Sequence, residues 1–381
     1  MSRPRRDERF ARHDEEWRDP AAVVAGLEDV GAPDASLLRP RVRGPFWDLL
    51  DELDATLLVT REYEHLLVGL TVRDGTPWVT GLRLPHPSGL AVDTKRKRVH
   101  VAATRNPNQI VTLATVRDED APLVPESARF HPGRLYLHDL AFVGNELHGN
   151  AVGENAVVRL PEGGGHERVW WPRAIERRGR PDFTRNYLQL NSIAAGPTVQ
   201  RSFFTASADE MGSRRLGHRN FPVDRRGVLY SGAEREPVAR GLTRPHSARL
   251  YGGRVWVDDS GYGTVVVRSG EGFDTVARLP GWTRGLGFRG DVAFVGTSRV
   301  LPRFTSYAPG LDLDRSRCGV HAVDAKTGRV LASCLWPDGN QIFAIEAVPR
   351  RFALGFPFAT GRARSRERAR DLFYDYELTR R

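Results

Sequence analysis

A short apolar segment, led by a polar residue and followed by a turn, recurs six times along the chain. The copies align on six anchor residues: Gly89, Asp139, Ser192, Ser247, Gly285 and Ala344. Successive anchors are separated by 50, 53, 55, 38 and 59 residues. A four-stranded propeller blade takes about 40–45 residues, so the spacing fits one blade per copy with loop insertions in several of them. The period predicts a repeat architecture.

Further β-rich runs follow these segments, for example at 98–103 and 264–268, with Gly, Asn or Asp at the turns between them. Such runs of alternating residues are typical of antiparallel strands. One repeat cannot bury both faces of its sheet, whereas blades stacked around an axis bury both faces and leave few open edges. We therefore predict an all-β, six-bladed β-propeller, with seven blades as the other count that the sequence allows.

The two ends of the repeat region predict how the ring closes. Little strand-like sequence follows the last copy at 342–349, so its blade lacks outer strands. Two strand-like runs near the N-terminus, 66–72 and 78–84, can supply them, and the residues at 73–76 favour a turn between the two. We expect the N-terminal strands to complete the final blade.

Outside the repeats the sequence predicts two appendages. The predicted organisation is a charged N-terminal extension at 1–44, a propeller at 45–360 and a charged C-terminal helix or tail at 361–381. Residues 45–53 have the apolar spacing of a short helix, which we expect to pack on the propeller.

The formal net charge of +10 raises the question of a nucleic-acid partner. Of the 57 basic residues, 54 are arginines, and they are scattered along the sequence rather than gathered in one stripe. No nucleic-acid-binding motif is present, so the sequence argues against such a partner. It also has no apolar run of the about 18 residues that a membrane span needs and no signal peptide. We expect a cytoplasmic location without membrane association.

The chain contains two cysteines, Cys318 and Cys334, on the two sides of a predicted hairpin that turns at 326–328. The thiols could face each other across neighbouring strands, but a register slip of one residue moves a side chain to the other face of the sheet. We expect two reduced thiols in the core.

Three segments carry a family resemblance: REYEH at 61–65, LPHPSGLAVD at 84–93 and TRNPNQI at 104–110. They resemble a bacterial family of conserved hypothetical β-propellers of unknown function, over about residues 45–360. Some members of that family sit beside tetratricopeptide repeats, which would suit a scaffold for assembly. The resemblance implies the propeller fold and carries over no catalytic role.

A wider resemblance, at the level of the fold alone, is to propellers of the calcium-dependent gluconolactonase and streptogramin lyase types. Both types carry out their chemistry at the mouth of the central channel, which is where we look for a site.

The innermost strands of a propeller line its channel, so residues at their starts converge at one mouth. The residues immediately before the six anchors are Ser88, His138, Asn191, His246, Arg284 and Phe343. Five of these six are polar. Polar residues would not recur at this position if it lay in an apolar core, because buried polar groups need hydrogen-bond partners. The same residues could instead form hydrogen bonds to neighbouring blades.

Roles follow from the side-chain chemistry. His138 and His246 are candidate acid–base catalysts, and Arg284 is the candidate partner of a substrate carboxylate or phosphate. The candidate substrate-binding residues are His86, Ser88, Asn106, Asn108, Asp139, Asn191, Asp258, Gln341 and Glu346. Three histidines beside carboxylates could also bind a divalent metal, although no short ligand spacing supports one.

Two functions remain open at this point. The first is a small-molecule hydrolase or lyase of lactonase-like type that uses the His/Asn/Arg mouth. The second is a non-catalytic module that binds a small molecule, a peptide or a partner protein at the same mouth.

Overall fold

The computed structural model describes residues 33–105, 108–115, 122–212 and 223–359. Its α-helices are α1 (Ala35–Leu38) and α2 (Phe46–Glu52). In chain order its strands are β1 (Arg41–Arg43), β2 (Ala55–Arg61), β3 (Leu66–Arg73), β4 (Thr76–Arg83), β5 (Pro87–Asp93), β6 (Arg98–Ala103), β7 (Asn108–Thr115), β8 (Leu123–His131), β9 (Leu137–Val143), β10 (Glu146–Ala151), β11 (Ala156–Arg159), β12 (Glu167–Trp170), β13 (Glu176–Arg177), β14 (Arg180–Pro181), β15 (Leu190–Ala194), β16 (Phe203–Ala206), β17 (Gly227–Ser231), β18 (Pro237–Leu242), β19 (Pro245–Tyr251), β20 (Arg254–Asp259), β21 (Thr264–Ser269), β22 (Gly272–Arg278), β23 (Trp282–Arg289), β24 (Val292–Ser298), β25 (Gly319–Asp324), β26 (Val330–Leu335), β27 (Ile345–Pro349) and β28 (Phe358–Ala359).

These strands form a six-bladed β-propeller, as the repeat predicts, and the count is six rather than seven. Blades 2 to 5 are four-stranded meanders built from β5–β8, β9–β12, β15–β18 and β19–β22. Blade 6 contains β23–β26, and β1 pairs with the outer strand β26. The innermost strands β27, β5, β9, β15, β19 and β23 contact one another in sequence around the channel.

Blade 1 closes the ring by joining the two ends of the described chain. Its inner strand is β27, and its outer strands β2, β3 and β4 come from the N-terminal side. In the pairing of β2 with β27, Leu57 lies opposite Ala347 and Val59 opposite Ile345. The predicted completion of the last blade by N-terminal strands is confirmed.

The apolar core of the described residues is distributed between the blades, with one buried cluster at each of the six blade interfaces. The predicted short helix is present as α2, and its Phe46 and Leu50 are fully buried in the cluster between blades 6 and 1. Cys318 and Cys334 belong to the same cluster and form no disulfide. In the part of the chain that is described, no helix is long and apolar enough to cross a membrane.

A ring of hydrogen bonds between side chains and backbone joins neighbouring blades near the start of their inner strands. In blade order the pairs are Thr60 Oγ1 to Ser88 O (2.7 Å), Ser88 Oγ to Leu137 O (2.7 Å), Ile193 N to Asp139 Oδ2 (3.0 Å), Ala248 N to Ser192 Oγ (2.8 Å), Gly285 N to Ser247 Oγ (2.7 Å) and Ile342 N to Ser298 Oγ (3.0 Å). Each of the six interfaces therefore has one such hydrogen bond, which we call its polar tie.

The tie residues explain part of the repeated pattern, because Asp139, Ser192 and Ser247 are themselves anchors. The anchor Gly89 is needed for a different reason. A Cβ atom at this position would lie 2.5 Å from the backbone nitrogen of Leu140 in the next blade. The anchors of the repeat thus mark positions where neighbouring blades are in close contact.

An ion cluster spans the channel farther along the inner strands. Arg249 Nη1 of blade 5 lies 2.9 Å from Asp139 Oδ2 of blade 3, and its Nη2 lies 3.8 Å from Glu346 Oε1 of blade 1. Burial raises the pKa of Glu346 to about 7, with a smaller opposing effect from Arg249. The candidate residues Asp139 and Glu346 therefore lie in this cluster, below the mouth.

We expect Thr60→Val to weaken the ring closure. The Thr60 hydroxyl donates to Ser88 O (2.7 Å) and accepts from Ala344 N (2.8 Å), so an isosteric apolar side chain leaves a buried N–H without its partner. The free energy of unfolding, measured by urea denaturation, should fall by about 1–3 kcal/mol. The control is Thr275→Val on the exposed side of β22, which should change it by less than about 0.5 kcal/mol. Equal effects of the two variants would contradict this role.

We also expect Glu346→Gln to alter the pH dependence of stability. The pKa of Glu346 is raised from 4.5 to about 7, so the folded chain keeps a proton that the unfolded chain loses between these values. The stabilising contribution of the protonated Glu346 carboxyl is complete below pH 4.5 and is lost as the pH rises through about 7. Relative to the parent, the variant should gain stability between about pH 5 and 8 in urea titrations. The exposed Glu234→Gln serves as control, and a parallel course of Glu346→Gln and parent would refute the assignment.

Candidate functional site

One end of the channel opens into a cavity of about 700 Å³, a size within the usual range for small-molecule sites. Its wall is built from two sets of loops: those that lead into the inner strands and those that follow the second strands. In blade 1 the turn Glu62–Glu64 after β2 brings Glu62 and Tyr63 to the wall. We call this space the mouth cavity.

The third residue before each anchor forms one layer of this wall. These residues are His86, Tyr136, Gln189, Arg244, Trp282 and Gln341, and all but His86 line the cavity. Four of them have a left-handed backbone, with φ of 42° at His86, 49° at Tyr136, 51° at Gln189 and 56° at Arg244. For residues other than glycine this conformation costs about 1–3 kcal/mol, and such strain is concentrated at functional sites. The turn before the inner strand is therefore a repeated device for presenting side chains to the mouth.

The three predicted catalytic residues, His138, His246 and Arg284, all line the mouth cavity. The Arg284 guanidinium carbon lies 3.2 Å from the centre of the Phe343 ring, and the His138 ring meets the same phenyl ring edge-on at 5.5 Å. Phe343 itself is fixed by ring closure, since its backbone nitrogen donates to Thr60 O at 2.8 Å. Residues from blades 1, 3, 5 and 6 thus meet at the mouth cavity.

Both imidazoles are neutral at pH 7. Burial lowers the pKa of His138 well below its ordinary value of 6.5, and Arg284, Arg105 and Arg244 lower it further. Burial also lowers the pKa of His246, with Arg284 and Arg244 adding to the effect. A neutral imidazole can accept a proton, so each ring is in the form that a general base requires.

The His246 ring has a fixed orientation. Its Nδ1 lies 2.9 Å from Ser260 Oγ, and the Ser260 hydroxyl donates to Thr283 O at 2.6 Å. The serine oxygen therefore accepts from the imidazole. In contrast, His138 Nδ1 is buried without a hydrogen-bond partner among the described residues. Of the two, His138 has the Nδ1 atom that no described protein group engages.

Positive charge dominates the cavity. Six arginines and one acidic residue, Glu62, are found among the described lining residues: the arginines are Arg105, Arg134, Arg185, Arg244, Arg284 and Arg299. Burial lowers the pKa of both Arg244 and Arg284 to about 10, so both stay charged at pH 7. Buried nitrogens on these two, Arg244 Nε and Arg284 Nη2, have no hydrogen-bond partner in the described chain. The cavity is therefore suited to an anion.

Glu62 occupies one corner of the cavity. Its Oε1 accepts a hydrogen bond from Thr104 Oγ1 and lies 3.9 Å from both Arg105 Nε and His86 Nδ1. His86 is fully buried behind this carboxylate, where burial, with a smaller effect of Arg105, lowers its pKa to about 3. The candidate His86 therefore contacts the site through Glu62 rather than facing the cavity.

Several other candidates hold the scaffold. Asn108 Nδ2 donates to Gly133 O at 2.6 Å, and Asn191 Nδ2 donates to Pro245 O at 2.8 Å. Neither residue lines the cavity, and Ser88 lies in the ring of ties. Asp258 is fully buried near Ser247 and Arg249, where burial raises the pKa of its carboxyl well above the ordinary value. Asn106 lies outside the described residues.

Of the predicted substrate-binding residues, Gln341 is the one that the described structure places in the cavity wall. As for a metal, the described segments contain no group of three or more His, Cys, Asp or Glu residues arranged to hold an ion.

Sequence reasoning missed several wall residues. Gln189, Arg244 and Trp282 occupy the third position before an anchor, so a comparison of that column would have found them. Tyr63 and Arg105 follow second strands and lie in the segments REYEH and TRNPNQI, which carry a family resemblance but no predicted role at the site. Tyr307 lies in the turn Pro302–Tyr307 of a blade 6 insertion, and Arg244 lies 4.4 Å over its ring. That contact has no signal in the sequence.

Comparison with solved structures shows the fold alone. The chain is similar to the nidogen/laminin complex, at 11% identity and a TM-score of 0.51, covering 77% of this chain and 98% of that chain. It is also similar to a protein of unknown function from Bacteroides caccae, at 8% identity and a TM-score of 0.47, with the same coverage of 77% and 98%. A luciferin-regenerating enzyme matches at 11% identity and a TM-score of 0.43, over 64% of this chain and 74% of that chain.

No curated protein matches this sequence. The comparisons give no evidence for an association with tetratricopeptide repeats. A family match spans residues 44–354 and includes every wall residue named above. The chain therefore belongs to the family described as domain of unknown function DUF4915.

Proposed function

We propose that the chain binds a small organic anion in the mouth cavity and acts on it as a hydrolase or lyase of lactonase-like type. One observation carries the proposal: two neutral imidazoles, His138 and His246, share the mouth cavity with the buried guanidinium of Arg284. These groups supply a proton acceptor and an anion-binding donor within one small site.

In a hydrolysis, Arg284 would hold the anionic group of a cyclic ester, and His138 would take a proton from water. The water oxygen then adds to the ester carbonyl carbon, and the arginines stabilise the resulting oxyanion. When the ring C–O bond breaks, the imidazolium returns its proton to the leaving alkoxide. In a lyase reaction the same imidazole would remove a proton next to a carboxylate, and the leaving group would depart with the bonding electron pair.

Substrate binding would strengthen this base. Arg284, Arg105 and Arg244 each lower the pKa of His138 through their positive charge. An anion paired with these arginines offsets that effect, so the pKa of His138 should rise toward neutrality in the complex. The imidazole would then accept a proton more readily when a substrate is bound than when the cavity holds solvent.

The catalytic role predicts a selective loss of turnover in His138→Gln. Hydrolysis of a panel of anionic lactones and esters, followed by pH-stat, should slow by about 10²–10⁴-fold because the base is lost. The control is His148→Gln in the same blade, whose ring nitrogen lies 2.8 Å from Glu146 O outside the cavity. A substrate that both variants and the parent turn over equally would exclude His138 as the base.

A second experiment follows the His138 ring itself. Its pKa should rise on addition of an anion that binds the cavity, because the anion offsets the nearby arginines. NMR titration of the imidazole with and without inorganic phosphate measures this shift. The exposed variant Arg329→Gln, which removes a positive charge outside the cavity, is the control and should show the same shift as the parent. An unchanged His138 titration at saturating phosphate would remove the proposed coupling.

The second candidate is a non-catalytic module that binds the same anion. It is favoured by the lowered pKa values of His138 and His246, which make both imidazoles weak bases, and by the seven aromatic residues of the wall. In this case the anion would bind with the affinity of a recognition site, and no member of the panel would be hydrolysed or eliminated. A peptide or protein partner at the mouth remains a prediction from the sequence.

A further inference from the structure

We infer that the mouth cavity takes a phosphate monoester of a ring-containing organic molecule. This inference rests on the proposed anion binding and narrows it to a ligand with two negative charges. It is carried by the arrangement of the arginines, by the lack of an ion pair at Arg244 and Arg284 within the described segments and by the aromatic residues between them.

Three arginines, Arg105, Arg244 and Arg284, line the same cavity. The positive charges of Arg284, Arg105 and Arg244 each lower the pKa of the His138 imidazole, and the charge of Arg244 also lowers the pKa of Arg284. One bidentate guanidinium is enough to pair a carboxylate. A phosphate monoester has three terminal oxygens and about two negative charges near pH 7, so it can engage several guanidiniums at once.

The protein neutralises this charge only in part, through the carboxylate of Glu62, which also acts on Arg284. Arg244 and Arg284 are each only 7% exposed, and within the described segments neither forms an ion pair. Arg244 Nη1 donates to the neutral amide oxygen of Gln189. The acidic residue of the wall, Glu62, lies 3.9 Å from Arg105 Nε and accepts a hydrogen bond from Thr104. Arg105, Arg244 and Arg284 thus share one wall carboxylate, so a ligand with two negative charges would balance the charge that remains.

Aromatic rings hold the guanidiniums in useful orientations. The guanidinium of Arg284 lies on the Phe343 ring at 3.2 Å, and that of Arg244 lies on the Tyr307 ring at 4.4 Å. Stacking occupies the faces of both groups, so their N–H edges stay available for parallel hydrogen bonds to an oxyanion. The buried Arg284 Nη2 and Arg244 Nε, which have no partner in the described chain, lie on such edges.

The rest of the cavity favours an organic ester over free phosphate. At about 700 Å³ the space is far larger than a phosphate ion needs. Its wall includes Trp282, Tyr187 and Phe304, which offer flat apolar surfaces to a ring. A planar or ring-shaped body would lie against these residues while its phosphate reaches the arginines.

The test compares phenyl phosphate with benzoate, which share a ring and differ in charge. Isothermal titration calorimetry of the full chain at constant ionic strength should show phenyl phosphate binding at least about tenfold more tightly than benzoate, and more tightly than inorganic phosphate. Arg244→Gln and Arg284→Gln should each weaken phenyl phosphate by about 10–100-fold. Arg329→Gln, an exposed change in the turn between β25 and β26, should leave the affinity unchanged.

The variant Arg284→Lys tests whether the loss of binding in Arg284→Gln comes from a folding defect. It keeps the charge but loses the planar fork, so it should bind phenyl phosphate with an affinity between those of the parent and Arg284→Gln. If benzoate binds as tightly as phenyl phosphate, the inference of a ligand with two negative charges is wrong, while the proposed function still holds. Binding of neither compound would overturn both. Loss of turnover in His138→Gln is a separate readout that does not depend on this ligand class.

Discussion

The propeller depends on the polar tie that each inner strand makes to its neighbour. At all six interfaces a hydroxyl or carboxylate of one blade bonds the backbone of the next blade, from Thr60 to Ser88 around to Ser298 and Ile342. The apolar clusters between blades supply most of the driving force but little direction, since hydrophobic burial does not fix orientation. The ties fix the blades at the level where their strands enter the channel, and the mouth cavity is built directly on that level.

The same strand starts therefore serve two purposes, and one residue of offset separates them. Ser247 bonds the next blade, while its neighbour His246 lines the cavity. Because side chains alternate along a strand, adjacent residues point in different directions and can hold the scaffold or face a ligand independently. Farther along the strands, the ion cluster of Arg249, Asp139 and Glu346 spans the channel. The mouth cavity therefore lies at one end of the channel, above this ion cluster.

The repeat predicted much of this architecture from sequence. The six anchors gave the blade number and the closure, and the residues before them led to His138, His246 and Arg284. Ser88 and Asp139 show the limit of that reasoning, since a polar residue at a strand start looks the same whether it bonds a blade or a ligand. Arg244 was missed because the sequence reasoning compared the residues immediately before the anchors and not the third position before them. Stacking of Arg244 on Tyr307 depends on an insertion whose path the pattern did not predict.

Ring closure also has a consequence for how the protein is made. The wall of the mouth cavity uses Glu62 and Tyr63 from the first blade strands and Gln341 and Phe343 from the last segment before β27. A ribosome must therefore synthesise nearly the whole described chain before these four side chains can meet. A nascent chain that has completed five blades would still have an open mouth, so a small molecule could stabilise this protein only at the end of its synthesis.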